Sequence, residues 1–473
     1  MSGDLCRLSA SALAPLLARG EVSTVELIQT VLARIERLQP QLYCFITVAA
    51  ESALDAARAA DRARSGGKLL GPLHGVPFTA KDLVDSAGIR TTYGSRLFAN
   101  NVPARDAVAI ARLRAAGAIL VGKTTTPEFG HKPFTAAPLF GRTCNAWNPQ
   151  RTSGGSSGGA AVAVAAGLAP LAIATDGGGS TRIPAACNGV VGLKQSLGLI
   201  AHNQAPDPFG AITYVTPTTR TVADTGLMLN AMAGAHPSDP WAYDPSDDFA
   251  AAAQARPSLA GIRVLILRRI GDAPLSADVA QAFDGAFAAL QELCAELEEL
   301  GEPVEALEPL WRVINHATWR VRFSNLVAGQ RHLMTPTLVR QVEEAAAYSA
   351  DDLMRANVAR GALFRRVQRW FERADLVITP TLTRSAVSID LDLFDPIEVD
   401  GQRFDEIRNA WYPYTMPFNL TGHPAITLPM GRGGYGLPLA LQLIGRPRAD
   451  AELLGIAATV EARLAWDGSA ALD

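Results

Sequence analysis

The sequence predicts an α/β fold: a single large domain spanning residues 1–473, with helices surrounding a mixed, mostly buried β-sheet. Two observations carry this. Short apolar runs of strand length alternate with stretches of helical periodicity. Strand signals lie toward both ends, with no repeat or low-complexity linker between them. The composition agrees, because 48% hydrophobic and 19% charged residues describe an ordinary globular chain.

In chain order, Ser23 and Glu26 form a capping box for a first helix. Its apolar face is Leu27, Ile28, Val31, Leu32, Ile35 and Leu38, and Pro40 stops it. Residues 53–63 continue as helix to Gly66-Gly67. Residues 76–80 (VPFTA) read as a short buried strand leading to Lys81, 107–116 as a helix, and 118–121 as another buried strand. A small-residue helix is expected over 157–166. A strand over 171–174 then delivers Asp176-Gly177-Gly178-Gly179-Ser180 at its C-terminal end. Later strands fall at 262–267, 376–379, 425–428 and 439–444, with helices over 277–300 and 451–462. Residues 310–373, helical and holding Trp311, Trp319, Phe323 and Trp370, are expected to form a lid or subdomain.

A net charge of −3 with interspersed signs leaves no electrostatic footprint for nucleic acid or an anionic membrane. Five scattered cysteines without a CxxC or Cys/His cluster imply neither a disulfide framework nor a metal site. The N-terminus lacks the basic and apolar regions of a signal peptide, so a cytoplasmic location is expected. The uncharged run 152–175 is long enough to span a bilayer. Its Gly, Ala and Ser content and Pro170 fit a buried soluble segment instead. Asn419-Leu420-Thr421 fits a glycosylation pattern that is inert without secretion.

The chemistry concentrates in residues 151–194, which hold two glycine-bedded serines: Ser156 in GGSSGG and Ser180 in DGGGSTRIP. Glycines let backbone N–H groups crowd a reacting atom where a Cβ would obstruct. Two such loops so close in sequence point to one centre and, with a lysine upstream, to a serine hydrolase acting on amides. A serine hydroxyl needs a base. None of the seven histidines sits in a motif with independent meaning, whereas Lys81 follows the apolar run GVPFTA. A lysine in crowded apolar surroundings loses its proton at neutral pH and becomes a general base. The competing readings are a solvated Lys81 paired with Asp82 and a plain tight turn at DGGGS.

These motifs, GVPFTAKD, GGSSGG, TDGGGSTRIPAA and GVVGLK, with TGHPAITLP and GLPLALQLIGRP near the end, closely resemble the amidase signature hydrolases. The resemblance covers nearly the whole chain. It implies an amidase of that fold, with a signature core over about residues 70–200 and a Ser–Ser–Lys triad. Ser180 would be the nucleophile and Ser156 the proton relay, with a cis peptide at Gly155-Ser156 and neutral Lys81 as base. The N–H groups among Gly177, Gly178, Gly179 and Ser180 would form the oxyanion hole. No cofactor or metal is expected, the partner is a small-molecule amide, and a homodimer is the base-rate assembly. Two departures stand out: Gln195-Ser196 where the family commonly has Pro-Thr, and Thr181 where Ile or Val is frequent.

Arg182 could anchor an acidic substrate group, although a structural ion pair is favoured. Phe129-Gly130 and the loop Trp411-Tyr412-Pro413-Tyr414 are expected to line an apolar or aromatic acyl pocket. Other readings are a glutaminase component of a tRNA-dependent amidotransferase and a catalytically silent binding protein. A further one takes G-x-S-x-G at Ser156 as the nucleophile elbow of a Ser-His-Asp α/β-hydrolase, but the loop-like residues before it argue against this. Gly117–Thr124 matches the phosphate-loop pattern, yet its middle residues are themselves a strand, so nucleotide binding is rejected.

Overall fold

In a computed structural model describing residues 5–210, 212–293, 296–466, 468, 470 and 472, the chain builds one large α/β domain. Its frame is an eleven-stranded sheet. In chain order the strands are β1 (Phe45–Val48), β2 (Pro77–Lys81), β3 (Ile119–Thr124), β4 (Leu171–Asp176), β5 (Val191–Lys194) and β6 (Tyr214–Thr219). They continue as β7 (Arg263–Ile266), β8 (Glu296–Glu299), β9 (Leu376–Pro380), β10 (Ala425–Arg432) and β11 (Pro438–Ile444). Across the sheet the order is β1-β3-β2-β4-β6-β5-β10-β11-β9-β7-β8. The trios β3-β2-β4 and β9-β7-β8 are parallel and the other neighbours antiparallel.

The central strands β2, β3 and β11 are buried along their whole length, and β4 except at Thr175, as a sheet covered by helices on both faces requires. Because β2 and β4 run parallel and adjacent, with Ala80 opposite Ile173, their C-terminal ends emerge at the same edge. Lys81 ends one strand and Asp176 the other. Ligand sites in α/β sheets form at such carboxyl ends.

Most expected elements are present with boundaries moved by a few residues, and three features differ. The Ser23-capped helix runs through Pro40 to Leu42. Residues 277–300 do not form one helix: it ends at Leu293, and Glu296–Glu299 pairs with β7 as a charged edge strand. β6 contains Pro217, which argues against a central strand. The β5 ladder reaches only Thr218 and Thr219, so Pro217 sits where one neighbour has already parted from it. The run 152–175 divides into a loop, the helix Gly158–Ala165 and β4. Among the described residues, no helix is long and apolar enough to cross a membrane.

Cys6, Cys44, Cys144 and Cys187 are free thiols, while Cys294 lies outside the described residues. Residues 310–373 form the helices Glu308–Gln330, Pro336–Glu344 and Ala350–Arg373.

Candidate active site

Lys81 is completely buried, and its Nζ lies 2.7 Å from Ser156 Oγ, 2.8 Å from Ser157 Oγ and 2.8 Å from Thr175 Oγ1. Among the described residues no carboxylate is bonded to it. Burial holds its pKa well below the ordinary lysine range, although the Asp176 charge pulls the other way. The solvated Lys81–Asp82 pair is therefore not formed. Asp82 turns away to the N–H and hydroxyl of Thr92, and it faces buried Lys123.

The hydrogen bonds around Lys81 have a direction. Ser157 Oγ donates to the Thr175 carbonyl at 3.1 Å, so toward Lys81 it accepts. A neutral amine has two N–H donors and one lone pair. With Ser157 and Thr175 accepting two N–H groups, the lone pair of a neutral amine would face the Ser156 hydroxyl, the arrangement that proton abstraction requires.

The peptide Gly155-Ser156 is cis, and Ser156 is 2% exposed. Ser157 N–H donates to the Ser180 carbonyl at 3.1 Å, tying the two serine loops together. Ser156 and Ser180 line the same cavity. Neither has a histidine within hydrogen-bond distance among the described residues. No strand immediately precedes Ser156, so the nucleophile-elbow reading fails on geometry. The phosphate-loop match fails likewise: Ile119–Thr124 is strand β3, and Lys123 bonds to the Val84 carbonyl and to Ser86.

From Asp176 to Ser180 every carbonyl accepts a hydrogen bond. The donors are Asn419 Nδ2 (3.1 Å), Trp311 Nε1 (2.6 Å), Thr415 Oγ1 (2.7 Å), Ile183 N (2.7 Å) and Ser157 N (3.1 Å) in turn. On the opposite side, Asp176 Oδ1 takes the Gly179 N–H at 2.6 Å and Oδ2 the Thr181 N–H at 3.2 Å. Gly179 thus differs from Gly177 and Gly178, because its amide is engaged inside the loop. The N–H groups of Gly177, Gly178 and Ser180 meet no protein acceptor among the described residues. Gly179 has φ +120°, and an added Cβ there would stand 2.3 Å from Thr415 Oγ1, so a side chain is excluded.

Arg182 does not face substrate. It is fully buried and grips Asp176 with two bonds of 3.0 Å, then Gln442 and Asn419 at 2.6 Å each. This pairing, with hydrogen bonds from Asn419 and Gly179, holds the Asp176 carboxyl well below the usual carboxylate range despite burial. Asn419, the potential glycosylation position, is spent inside this network. The departure Gln195-Ser196 is structural as well: Ser196 N–H bonds to Asp450 and its hydroxyl accepts from Arg448 N–H.

The cavity measures about 830 Å³. Phe129, Gly130 and Tyr412 line it, but Trp411 does not; that ring is fully buried and stacks on Phe134 at 5.7 Å. Phe129 stacks on Phe323 at 4.5 Å and meets Phe98 edge-on at 5.9 Å. The helix Glu308–Gln330 supplies Trp311, Asn315, Thr318 and Arg322, which share one face at three- and four-residue spacing, and Phe323 beside them. Sequence reasoning did not reach Ser157, Thr175 or Thr415 as parts of the site, and it reached Trp311 only as a residue of the expected lid. Adjacency to GGSSGG and to DGGGS could have flagged the first two; nothing local marks the others. No cluster of His, Cys, Asp and Glu suited to a metal ion occurs among the described residues.

Comparison with known proteins identifies the family and the fold. The Amidase family model matches residues 26–454. An acylamidase of Rhodococcus erythropolis is 35% identical over 97% of this chain and 96% of its own. A component of the glutamyl-tRNA(Gln) amidotransferase of Roseiflexus sp. (strain RS-1) is also 35% identical, with 93% of each chain covered. The crystal structure of a bacterial aryl acylamidase superposes with a TM-score of 0.90 at 27% identity, over 97% of this chain and 96% of its own. A family model spanning nearly the whole chain and a shared fold over the same length lead to one conclusion: the chain belongs to the amidase signature family, hydrolases acting on C–N bonds.

Proposed function

We propose that the chain is a free-standing amidase that hydrolyses a carboxylic amide with an apolar or aromatic acyl group through a Ser180 acyl-enzyme. The observation that carries this reading is the buried, carboxylate-free Lys81 bonded to Ser156 Oγ at 2.7 Å. Neutral Lys81 takes the Ser156 proton while Ser156 takes that of Ser180. Ser180 Oγ attacks the amide carbon, and the oxyanion forms toward the free amides of Gly177, Gly178 and Ser180. The proton returns through Ser156 to the leaving nitrogen, which departs as ammonia or an amine. Water then cleaves the ester by the same route in reverse and frees the acid. The helices over the cavity act as its lid, and the Phe98, Phe129 and Phe323 rings form the acyl wall.

The likeness to an amidotransferase component favours a second reading, a glutaminase that works with partner chains. Against it, Lys132 at the cavity wall is paired with Asp392 at 2.7 Å, and Phe98, Phe129 and Phe323 give the same cavity an aromatic wall. That wall serves a ring better than a zwitterion.

The test is fluorophosphonate labelling with peptide mapping, followed by ammonia release from aryl, alkyl and glutamine amides by the isolated chain. Label on Ser180, lost in Lys81→Ala, with turnover of apolar amides, is expected. Turnover confined to glutamine would select the second reading, and label on Ser156 would overturn the assignment of the nucleophile.

A further inference from the structure

Resting on the Ser180 reading above, we propose that Trp311 is a positioning residue that aims the Gly178 N–H at the oxyanion. In a trans peptide the C=O and the following N–H point in opposite directions within one plane. A donor that holds the carbonyl therefore fixes where the amide points.

The nucleophile loop has three peptides in a row whose planes are set in this manner. Peptide 178–179 is closed at both ends, its carbonyl on Thr415 Oγ1 at 2.7 Å and its N–H on Asp176 Oδ1 at 2.6 Å. Peptide 179–180 has its carbonyl on Ile183 N at 2.7 Å, which leaves the Ser180 N–H free. Peptide 177–178 has its carbonyl on Trp311 Nε1 at 2.6 Å, which leaves the Gly178 N–H free.

Of these anchors, only Trp311 comes from the helix that covers the cavity. Its indole is itself held. The ring meets Trp319 edge-on at 6.4 Å, and the Arg408 guanidinium stands 5.8 Å from its centre. The contact is also close. A Cβ on Gly178 would lie 3.0 Å from Trp311 Nε1, so the indole would have to shift by a few tenths of an ångström to admit one. A donor on the carbonyl further polarises the peptide, which makes its N–H a better donor to a developing negative charge. The helix over the substrate is thereby wired into transition-state stabilisation as well as into the cavity wall.

The test is Trp311→Phe, which keeps an aromatic ring and deletes the N–H. Removing an oxyanion donor outright costs ~10²–10³ in rate, and a donor left unaimed costs part of that, ~10-fold in kcat. KM should stay within about threefold. A trifluoromethyl ketone analogue of the substrate, which forms the tetrahedral adduct, should bind ~10-fold more weakly, while inhibition by the product acid stays unchanged.

A loss in KM alone, or equal weakening of ketone and acid, would show Trp311 to be wall only and overturn the proposal. So would an unchanged kcat. Should Trp311→Phe not fold, site-specific replacement by benzothienylalanine exchanges only the N–H for sulfur and is read by the same criteria. Absence of fluorophosphonate label on Ser180 in the unsubstituted protein would instead refute the nucleophile assignment, so the two failures are distinguishable.

Discussion

Ser157→Ala separates a lysine held neutral and aimed from one that is merely buried. Ser157 is fully buried and does not line the cavity, so the substitution leaves the substrate surface intact. It removes the bond from Lys81 Nζ (2.8 Å) and the bonds to the Thr175 carbonyl (3.1 Å) and N–H (3.4 Å). At ~0.5–1.5 kcal/mol net for each good bond, the stability loss is ~2 kcal/mol. The unfolding entropy of a chain this long is ~1 kcal/mol/K, so Tm should fall by only ~2 °C. Catalysis should suffer more. One amine N–H loses its acceptor, the lone pair is no longer confined to the Ser156 hydroxyl, and kcat should drop ~10–100-fold.

The pH profile carries the sharper test of the same substitution. An ammonium must place three N–H donors and a neutral amine two, so losing an acceptor penalises the charged form more. The Lys81 pKa, already below its ordinary range by burial, moves further down. Activity requires the neutral amine and is lost as pH falls through that pKa. The acid limb of kcat/KM in Ser157→Ala should therefore shift to lower pH. Initial rates of ammonia release across the acid limb, with melting curves, measure all three quantities. A limb that moves up, an unchanged kcat, or a loss as deep as that of Ser156→Ala would refute the reasoning, the last by making Ser157 the relay.

Three further outcomes follow from the geometry. Arg182→Met leaves the Asp176 carboxylate buried and unpaired, so stability should fall ~3–5 kcal/mol, with Tm lower by ~3–5 °C and activity lost with the loop; differential scanning calorimetry measures it. Glu461 accepts from Val222 N–H at 2.9 Å, and burial pushes its carboxyl up to about 7. The folded chain then binds more protons than the unfolded one between the ordinary Glu value and about 7, and stability falls as pH rises through that window. Glu461→Gln should accordingly raise Tm at pH ~8 and leave it unchanged or lower at pH ~5. Phe129→Ala opens the wall that stacks on Phe323 and should lower kcat/KM for aryl-acyl amides ~10-fold more than for acetamide, as a substrate panel would show.

The parts of the site legible in the sequence are those whose chemistry constrains local composition. A nucleophile that needs converging amides demands adjacent glycines, and a buried base demands an apolar run before it, so Ser180, Ser156 and Lys81 stand out in DGGGS, GGSSGG and GVPFTAK. The sheet is legible for a similar reason: strands buried on both faces must be mostly apolar, as β2, β3, β4 and β11 are apart from Lys81, Lys123, Asp176, Gln442 and their threonines. Where an element is held by its neighbours, the local signal fails. Residues 296–299 (ELEE) have the composition of a helix and become an edge strand because β7 offers an open ladder. Tyr214–Thr219 carries a proline and is still central, because its second partner stops short. Trp411 reads as a pocket aromatic and is core, since sequence gives an aromatic ring no direction.

Arg182 shows why the remaining legibility gap is physical. In sequence it is a charge two residues after Ser180, the proposed nucleophile, a position suited to substrate. In the fold its partners Asp176, Asn419 and Gln442 lie up to 260 residues away, and together they take four hydrogen bonds from the guanidinium. A buried charge is tolerated only when paired, so the same burial that brings Arg182 close to the active loop commits it to Asp176. Asp176 in turn takes the amides of Gly179 and Thr181, leaving those of Gly178 and Ser180 free on the other side of the backbone. The ion pair that closes the site to an acidic substrate group at this position thus decides which amides remain available to an oxyanion. The Asp176 contacts are local, but Asn419, Trp311 and Thr415, which hold the carbonyls of the same loop, are distant in sequence, and the spacing of glycines and serines alone does not encode them.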